Sequence, residues 1–480
     1  MIRFRNLDHP SKDGLIFLCY IYITYSYDAV GNLEFKRTPD GYATQYIYND
    51  LNRLTDIKRI KPDGATVESW YKYTPGNVGE IMGVTESSGR SVSYSYDDCY
   101  RLIGETVTDP AAGNSSITYK YDKAGNRKEK TENGVTTLFM PDDNGRVTTA
   151  GAISYNYDDN GNLKSKSGNG ISESYSYDIE NHLTGVTVTS GGNTSTETYD
   201  YDWEGNRIRK TTDGSVVNYL VDETSPVAEV IEERDGSGTL LAYYTYGDAL
   251  LSKKSTSGSS YYNYDASGNV RALTDKTGTA TDSYSYDAYG IMKAKTGSTK
   301  NSYLFAGEQF DEKSGLYYLR ARYMDTTTGT FITSDPYSGS IGSPMSLNKY
   351  LYANGSPVNF TDPTGYDSFG ELMTSMSLES VINSIADLSF VGLRSLALNM
   401  AKNAVTGSVI GGAIGGIDGA LSGEGFFKGF MNGSITGAEM GALFTIREFG
   451  PLLIAMGRIS GVEGVIDALR KGNYKLAAFR

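Results

Sequence analysis

The sequence is poor in histidine, cysteine and proline, and these shortages exclude several kinds of site. Of 480 residues, only two are His, two are Cys and 12 are Pro. Cys19 and Cys99 are too few for a disulfide framework or a thiolate metal site. His9 lies in an irregular start and His182 in a repeat turn, where structural roles are expected. The sequence therefore predicts no metal ion and no cofactor.

An excess of positive charge is also missing. The formal net charge is -13 at pH 7. Proteins that bind a phosphate backbone, or that adsorb to an anionic membrane surface, normally carry a basic surface. The charge therefore argues against nucleic-acid binding by the bulk of the chain, and it favours solubility.

Only a short hydrophobic run occurs near the N-terminus. The run LIFLCYIYI covers residues 15–23 and follows Arg3, Arg5 and Lys12. It is similar to a short signal peptide, but no small-residue cleavage site follows it. Because it passes directly into a repeat at Tyr25, a buried strand is favoured. Residues 1–24 are interpreted as an irregular start, truncated inside a longer array.

Tyrosine and glycine are abundant instead, with 39 Tyr and 56 Gly. The motif Tyr-x-Tyr-Asp-x-x-Gly-Asn, followed by Leu, Arg or Val, recurs along the chain. Clear copies begin at Tyr25, Tyr119, Tyr155, Tyr199 and Tyr262, and looser copies at Tyr46, Tyr94, Tyr175 and Tyr284. Most successive copies lie about 20 to 36 positions apart, which fits one β-hairpin per period.

Each copy predicts a strand, a turn and a returning strand. Residues i and i+2 of a strand share a face, so Tyr155 and Tyr157 present both rings to one side. The Asp that follows can accept turn hydrogen bonds, and Gly161 can take a positive φ. The array therefore predicts a mainly β protein with an antiparallel sheet. Its tyrosines are either cross-strand packing, which the sequence favours, or the lining of a container.

Two segments near residue 330 carry a resemblance to a known family. LYYLRARYMDTTTGTFITSDPYSG (316–339) and SLNKYLYANGSPVNFTDPTGY (346–366) resemble the Rhs-repeat-associated core of Rhs/YD-repeat polymorphic toxins, as in wall-associated and insecticidal Tc proteins. The resemblance implies YD repeats at 25–302 and a core at 303–366. It also implies a spiralling antiparallel β-shell, incomplete in this chain, which encloses a C-terminal toxin.

The resemblance further implies self-cleavage by acidic residues, in the manner of an aspartic protease. The cut is expected after a motif formed by Asp362, Pro363, Thr364, Gly365 and Tyr366, between Tyr366 and Asp367. Two neighbouring carboxylates can divide the work, because one keeps a proton while the other activates water.

Three residues of the core are the candidate catalytic groups. Asp335 is the first carboxylate, Asp325 the second, and Arg322 would stabilise the ionised form. Alternatively, these three residues form only an ion-pair network that closes a turn. Ser338 and the long spacing from Asp335 to Asp362 depart from the family's pattern.

The composition changes abruptly after Tyr366. Residues 367–480 are predicted to form a mainly helical region that joins the shell to the toxin. Its glycine-rich part at 405–425 has G-x-x-x-G spacing, and loose packing is favoured over membrane insertion because Asp418 interrupts the apolar stretch. The region has no His or Cys, so a His-metal nuclease or a thiol protease cannot be assembled from it. The sequence of this region predicts no particular toxin activity.

The leading hypothesis is a secreted or cell-surface bacterial shell that delivers a toxin. Its expected partners are its own C-terminal toxin segment and an immunity protein. The alternative hypothesis is an adhesion protein without toxin activity that binds cell-surface glycans through exposed tyrosines. The two differ in which face of the sheet carries the tyrosine pairs.

Overall fold

The computed structural model describes residues 23–366 except residue 226 and residues 337–343. Within this range the chain forms one 26-stranded sheet and one four-stranded sheet. Strands of the first half are β1 (Thr24–Tyr27), β2 (Leu33–Arg37), β3 (Ala43–Tyr48), β4 (Leu54–Ile60), β5 (Val67–Pro75), β6 (Ile81–Glu86), β7 (Ser91–Tyr96), β8 (Leu102–Thr108), β9 (Ser115–Tyr121), β10 (Arg127–Glu132), β11 (Val135–Pro141), β12 (Val147–Ala150) and β13 (Ile153–Tyr157).

The second half of the large sheet continues in the same way. Its strands are β14 (Leu163–Gly168), β15 (Ile171–Tyr177), β16 (Leu183–Ser190), β17 (Asn193–Tyr201), β18 (Arg207–Thr212), β19 (Ser215–Asp222), β20 (Glu229–Asp235), β21 (Leu240–Tyr246), β22 (Leu250–Ser255), β23 (Gly258–Tyr264), β24 (Val270–Thr274), β25 (Ala280–Tyr286) and β26 (Met292–Thr296).

The large sheet is an antiparallel meander. Each strand from β2 to β25 pairs with the strand before it and the strand after it. In the described part of the chain, β1 and β26 each have a single partner, so the sheet is not closed. The prediction of a mainly β, antiparallel repeat protein is confirmed. The predicted helical region at 367–480 lies outside the described residues.

The repeat turn forms as its sequence predicts. In the copy at 119–127, Asp122 Oδ1 accepts hydrogen bonds from the backbone N–H groups of Ala124 and Asn126, both at 2.9 Å. The Asn126 amide donates to Asp122 Oδ2 at 2.9 Å. Gly125 has a φ of 85°, which an L side chain rarely adopts. These local bonds reverse the chain between β9 and β10.

Tyrosine pairs join neighbouring hairpins. The second hydroxyl of a pair donates to the carbonyl of the first residue in the preceding strand, as Tyr121 does to Leu102 at 2.8 Å. Five further tyrosines repeat this contact at 2.6–3.0 Å: Tyr96, Tyr177, Tyr201, Tyr264 and Tyr286. Each such bond contributes on the order of 1 kcal/mol. The motif therefore fixes the register between hairpins as well as within them.

The first tyrosine of each pair is buried in most copies. The buried ones are Tyr119, Tyr155, Tyr175, Tyr199, Tyr262 and Tyr284, and Tyr244 of the further pair Tyr244–Tyr246 is buried as well. The intervening residue, such as Lys120 between Tyr119 and Tyr121, is exposed, as the two-residue period of a strand requires. The alternation thus separates a packed tyrosine face from a solvated face.

Residues 303–336 and 344–366 form the core that packs on this tyrosine face. Its four strands are β27 (Gln309–Asp311), β28 (Leu316–Leu319), β29 (Arg322–Asp325) and β30 (Thr330–Phe331), and short 3-10 turns lie at Phe305–Gly307, Pro344–Leu347 and Ala353–Gly355. One cluster joins Tyr262 and Tyr284 to Phe305 and Tyr317. The sheet tyrosines therefore act as packing groups toward the core.

Distant strands of the large sheet also meet. The hydroxyls of Tyr121 and Tyr289 share a hydrogen bond of 2.8 Å, and Lys130 Nζ lies 3.1 Å from Asp287 Oδ2. Glu105 Oε2 accepts the backbone N–H of Ala288 at 2.9 Å. The turn between β25 and β26 thus contacts β8, β9 and β10.

Within the described residues, no helix is both long and apolar enough to cross a membrane.

Candidate self-cleavage site

Strand β29 places the Arg322 side chain against residues 362–366, the C-terminal end of the core. The Arg322 side chain is buried, and its guanidinium lies over the Phe331 ring at 3.6 Å from the ring centroid. Its Nη2 atom lies 2.9 Å from Asp335 Oδ2 and 3.4 Å from Asp362 Oδ2. One guanidinium therefore holds two carboxylates from segments that are distant in the sequence.

The same guanidinium binds the backbone where the cut is expected. Arg322 Nη2 donates to the carbonyl oxygen of Tyr366 at 2.8 Å, and Nε donates to the carbonyl oxygen of Gly365. Nη1 donates to the carbonyl of Lys349 at 3.2 Å. Arg322 thus contacts Asp335, Asp362 and the carbonyl group of the bond between residues 366 and 367.

Asp362 closes the turn that presents this carbonyl. Its Oδ1 accepts the backbone N–H of Gly365 at 2.8 Å. Burial raises the pKa of the Asp362 carboxyl to about 6, although the Arg322 guanidinium and the Gly365 amide favour the ionised form. A carboxyl with this pKa carries its proton under mildly acidic conditions, as a general acid must.

Gly365 fits the turn for two reasons. Its φ is 72°, in the left-handed region where an L side chain is strained. A Cβ atom at this position would lie 2.3 Å from the carbonyl oxygen of Leu319 and 2.9 Å from the backbone nitrogen of Arg322. The glycine therefore allows the motif at 362–366 to lie directly against the turn between β28 and β29.

A second arginine holds the same segment and was missed by the sequence analysis. Arg320 Nη1 donates to the carbonyl oxygen of Pro363 at 2.9 Å and also pairs with buried Glu308. Burial raises the pKa of the Glu308 carboxyl, and Arg320 opposes that rise. The signal for Arg320 in the sequence was its place in Arg-Ala-Arg (320–322), next to the candidate Arg322. In the structure both arginines donate to backbone carbonyls of the motif at 362–366.

Asp325 lies apart from this arrangement. It stands three positions after Arg322 on the same strand, so the two side chains point to opposite faces. Asp325 Oδ2 lies 3.5 Å from Lys166 Nζ, which also pairs with Glu173 at 3.3 Å. The geometry therefore assigns Asp325 to an ion pair between core and sheet, and it brings Asp362 beside Asp335 instead. Asp367 and Ser338 lie outside the described residues.

The comparisons with known proteins agree with this architecture. The family described as "Teneurin YD-shell" matches residues 74–358, which is more than half of the chain. The chain belongs to the teneurin YD-shell family. The resemblance to Rhs/YD-repeat proteins that the sequence indicates is thereby confirmed.

Two curated relatives of this YD-shell chain carry toxin or nuclease names. The tRNA3(Ser)-specific nuclease WapA of Bacillus spizizenii is 33% identical over 368 residues, which are 72% of this chain and 15% of the relative. Double-stranded DNA deaminase toxin A of Burkholderia cenocepacia is 24% identical over 62% of this chain and 22% of the relative. The chain thus spans about a fifth of the length of these relatives or less.

A solved structure shares the fold of the YD-shell chain. The crystal structure of TcdB2-TccC3-Cdc42 aligns with a TM-score of 0.60 and 19% identity, covering 76% of this chain and 20% of the solved one. At that identity the similarity supports the fold alone.

Proposed function

We propose that this YD-shell chain is part of a toxin-delivery shell that releases its C-terminal segment by cutting itself between Tyr366 and Asp367. One observation carries the proposal: the Arg322 guanidinium contacts Asp335, Asp362 and the carbonyl oxygen of Tyr366 together. The toxin and nuclease names of the relatives support the delivery function.

In the proposed reaction, Asp335 is the general base and Asp362 the general acid. Asp335 takes a proton from water, and the water oxygen forms a bond to the carbonyl carbon of Tyr366. Protonated Asp362 gives its proton to the amide nitrogen of Asp367 as the C–N bond breaks. The products are a carboxylic acid on Tyr366, which passes its proton to the new amine of Asp367, and Asp335 keeps the proton from water, so one water is consumed and no other reactant is needed.

Arg322 has two tasks in this scheme. Its hydrogen bond to the Tyr366 carbonyl stabilises the negative charge that develops on that oxygen during water attack. Its contacts to Asp335 and Asp362 hold both carboxylates at the guanidinium that binds the Tyr366 carbonyl. Asp325 takes no step in this scheme, because it pairs with Lys166 of the sheet outside the Arg322 contacts.

The proposed toxin is the segment at 367–480, which the shell carries and the cut releases. We propose that the shell acts outside the producing cell, secreted or at the cell surface, and that an immunity protein protects the producer from the toxin. The alternative, a glycan-binding adhesion protein, requires exposed tyrosine pairs. It is not favoured, because the first tyrosine of most pairs is buried against the core or neighbouring strands.

Intact-mass analysis of the purified full chain tests the cut. The parent should yield two fragments that separate between Tyr366 and Asp367, whereas Asp335→Asn and Asp362→Asn should remain whole. Asp325→Asn is the matched control, since it removes a buried core carboxylate outside the Arg322 contacts. If Asp325→Asn blocks the cut and Asp362→Asn does not, the proposed acid is wrong. A parent that stays whole between about pH 4 and about pH 8 would overturn self-cleavage itself.

A further inference from the structure

Two arginines occupy the same position of the repeat. Arg127 ends the copy YKYDKAGNR (119–127), and Arg207 ends the copy YDYDWEGNR (199–207). In other copies this position carries an apolar residue, such as Leu33 or Leu163. Both arginines are buried, with 4% of Arg127 and 2% of Arg207 exposed. The repeat thus brings two positive charges into its packed face at equivalent places.

The charge of Arg207 is neutralised by the core. Its Nη1 atom lies 2.5 Å from Asp311 Oδ2, and its Nη2 atom donates to Gln309 Oε1 at 2.7 Å. Tyrosine rings cover the guanidinium, including Tyr318 at 4.2 Å and Tyr199 at 5.2 Å from the ring centroids. This is the environment that a buried charge requires, because an unpaired ion is costly to remove from water.

Arg127 has the aromatic contacts, but in the described part of the chain it has no carboxylate partner. Its guanidinium lies 3.9 Å from the ring centroid of Tyr289 and 4.8 Å from that of Tyr119. Tyr119 is the repeat equivalent of Tyr199, so the two sites share this aromatic contact. Over 23–336, residue 226 aside, and over 344–366, no Asp or Glu forms an ion pair with Arg127. The aromatic faces attract the cation but do not neutralise it.

A small cavity adjoins Arg127. Its lining includes Tyr289, Gly329 and Leu351. Its volume is about 10 Å³, which leaves room for about one water-sized particle. A Cβ atom on Gly329 would lie 2.5 Å from the Arg127 guanidinium and 2.6 Å from the Tyr289 ring, so the glycine gives both side chains the room that they occupy. The cavity is too small for a phosphate, a sulfate or a carboxylate side chain.

We propose that this cavity binds a halide ion, chloride in ordinary solution, which supplies to Arg127 the negative charge that Asp311 supplies to Arg207. The site would join three parts of the chain: Arg127 at the start of β10, Tyr289 in the turn between β25 and β26, and Gly329 between β29 and β30. A bound halide therefore stabilises the attachment of the core to the sheet. The inference is independent of self-cleavage.

Thermal unfolding of the full chain tests the proposal. Sodium chloride and sodium gluconate are compared at equal ionic strength, and the parent should melt about 2 °C higher in chloride. Arg127→Leu should melt at the same temperature in both salts. This variant carries the residue of Leu33 and Leu163, so its fold is compatible with the repeat. The exposed Arg209 gives the control, because Arg209→Leu should keep the chloride response of the parent.

Bromide locates the ion directly. Crystals grown in sodium bromide should show an anomalous peak within about 3.5 Å of the Arg127 guanidinium, and no such peak at Arg207. A parent with equal melting temperatures in the two salts and no bromide peak overturns the proposal. So does a chloride response that persists in Arg127→Leu, because the ion would then act elsewhere.

Discussion

Arg207 on β18 and Asp311 on β27 form a buried ion pair between the sheet and the core, with 2.5 Å between Nη1 and Oδ2. Lys210, further along β18, binds the other oxygen of Asp311 at 2.7 Å. Lys166 and Asp325 form a similar contact between sheet and core. Paired charges therefore hold the core in place together with the packed rings, and their orientation fixes where each core strand lies.

Removal of one partner of this pair should be costly. Arg207→Leu leaves the Asp311 carboxylate buried with a single cation, so we expect it to lower the free energy of unfolding by about 3–5 kcal/mol. Arg127→Leu removes a charge from the equivalent position without leaving a carboxylate behind, and its cost should be smaller. Urea unfolding of both variants in the same chloride buffer measures the difference. Equal losses would contradict the role of Asp311.

The tyrosine hydroxyl bonds between hairpins can be tested at Tyr201. Its hydroxyl donates to the carbonyl of Leu183 at 2.7 Å and shares a hydrogen bond of 2.9 Å with the Tyr323 hydroxyl. Tyr201→Phe keeps the ring and leaves that carbonyl without its donor, so we expect a loss of about 1–2 kcal/mol. Tyr27→Phe is the control, since Tyr27 is exposed. Urea midpoints that shift equally would show that the hydroxyl bond contributes nothing.

The repeat part of the fold could be predicted because its causes are local. A Tyr-x-Tyr pair sets one face of a strand, and Asp with Gly a few positions later sets the turn, so nine residues specify a hairpin. Packing against residues 303–366 could not be predicted in the same way. The partners of Tyr262 and Tyr284, such as Phe305 and Tyr317, come from a segment without the repeat pattern.

The candidate site was only partly predictable for a related reason. Arg322 and Asp335 follow from the family resemblance, and the structure pairs them. Asp362 entered the sequence analysis as part of the cleavage motif, and its contact with Arg322 depends on tertiary folding across 40 positions. Asp325 was the weaker candidate for the second carboxylate, and it too came from the family resemblance. On a strand, however, three positions reverse the direction of the side chain.

Glu105 should make stability depend on pH. Burial raises the pKa of its carboxyl to about 7, and the nearby Asp287 adds to the rise. Because the folded pKa lies above the unfolded value of 4.5, ionisation opposes folding. The cost is absent below about pH 4.5, grows as the pH rises to about 7, and reaches about 3 kcal/mol above that.

Glu105→Gln removes this cost and keeps an oxygen that can accept the Ala288 N–H. The variant should be more stable than the parent by up to about 3 kcal/mol at about pH 8, and nearly equal to it at about pH 4.5. Urea unfolding at the two pH values measures the effect. Asp159→Asn, in an exposed turn, should show no such gain. A variant that is less stable than the parent at both pH values would contradict the prediction.

The rate of the proposed cut should fall as the pH rises through about 6. The general acid must carry a proton, and burial raises the pKa of Asp362 to about 6. Above that value the protonated fraction falls about tenfold per pH unit, and the rate should fall with it. Full-length chain purified at about pH 8 and shifted to lower pH would give the rates by intact mass.

Asp325→Asn should keep the pH profile, because Asp325 pairs with Lys166 outside the site. Asp362→Asn should abolish the cut at every pH although it can still accept the Gly365 N–H. A rate that stays constant between about pH 5 and about pH 8 would show that Asp362 is not the proton donor.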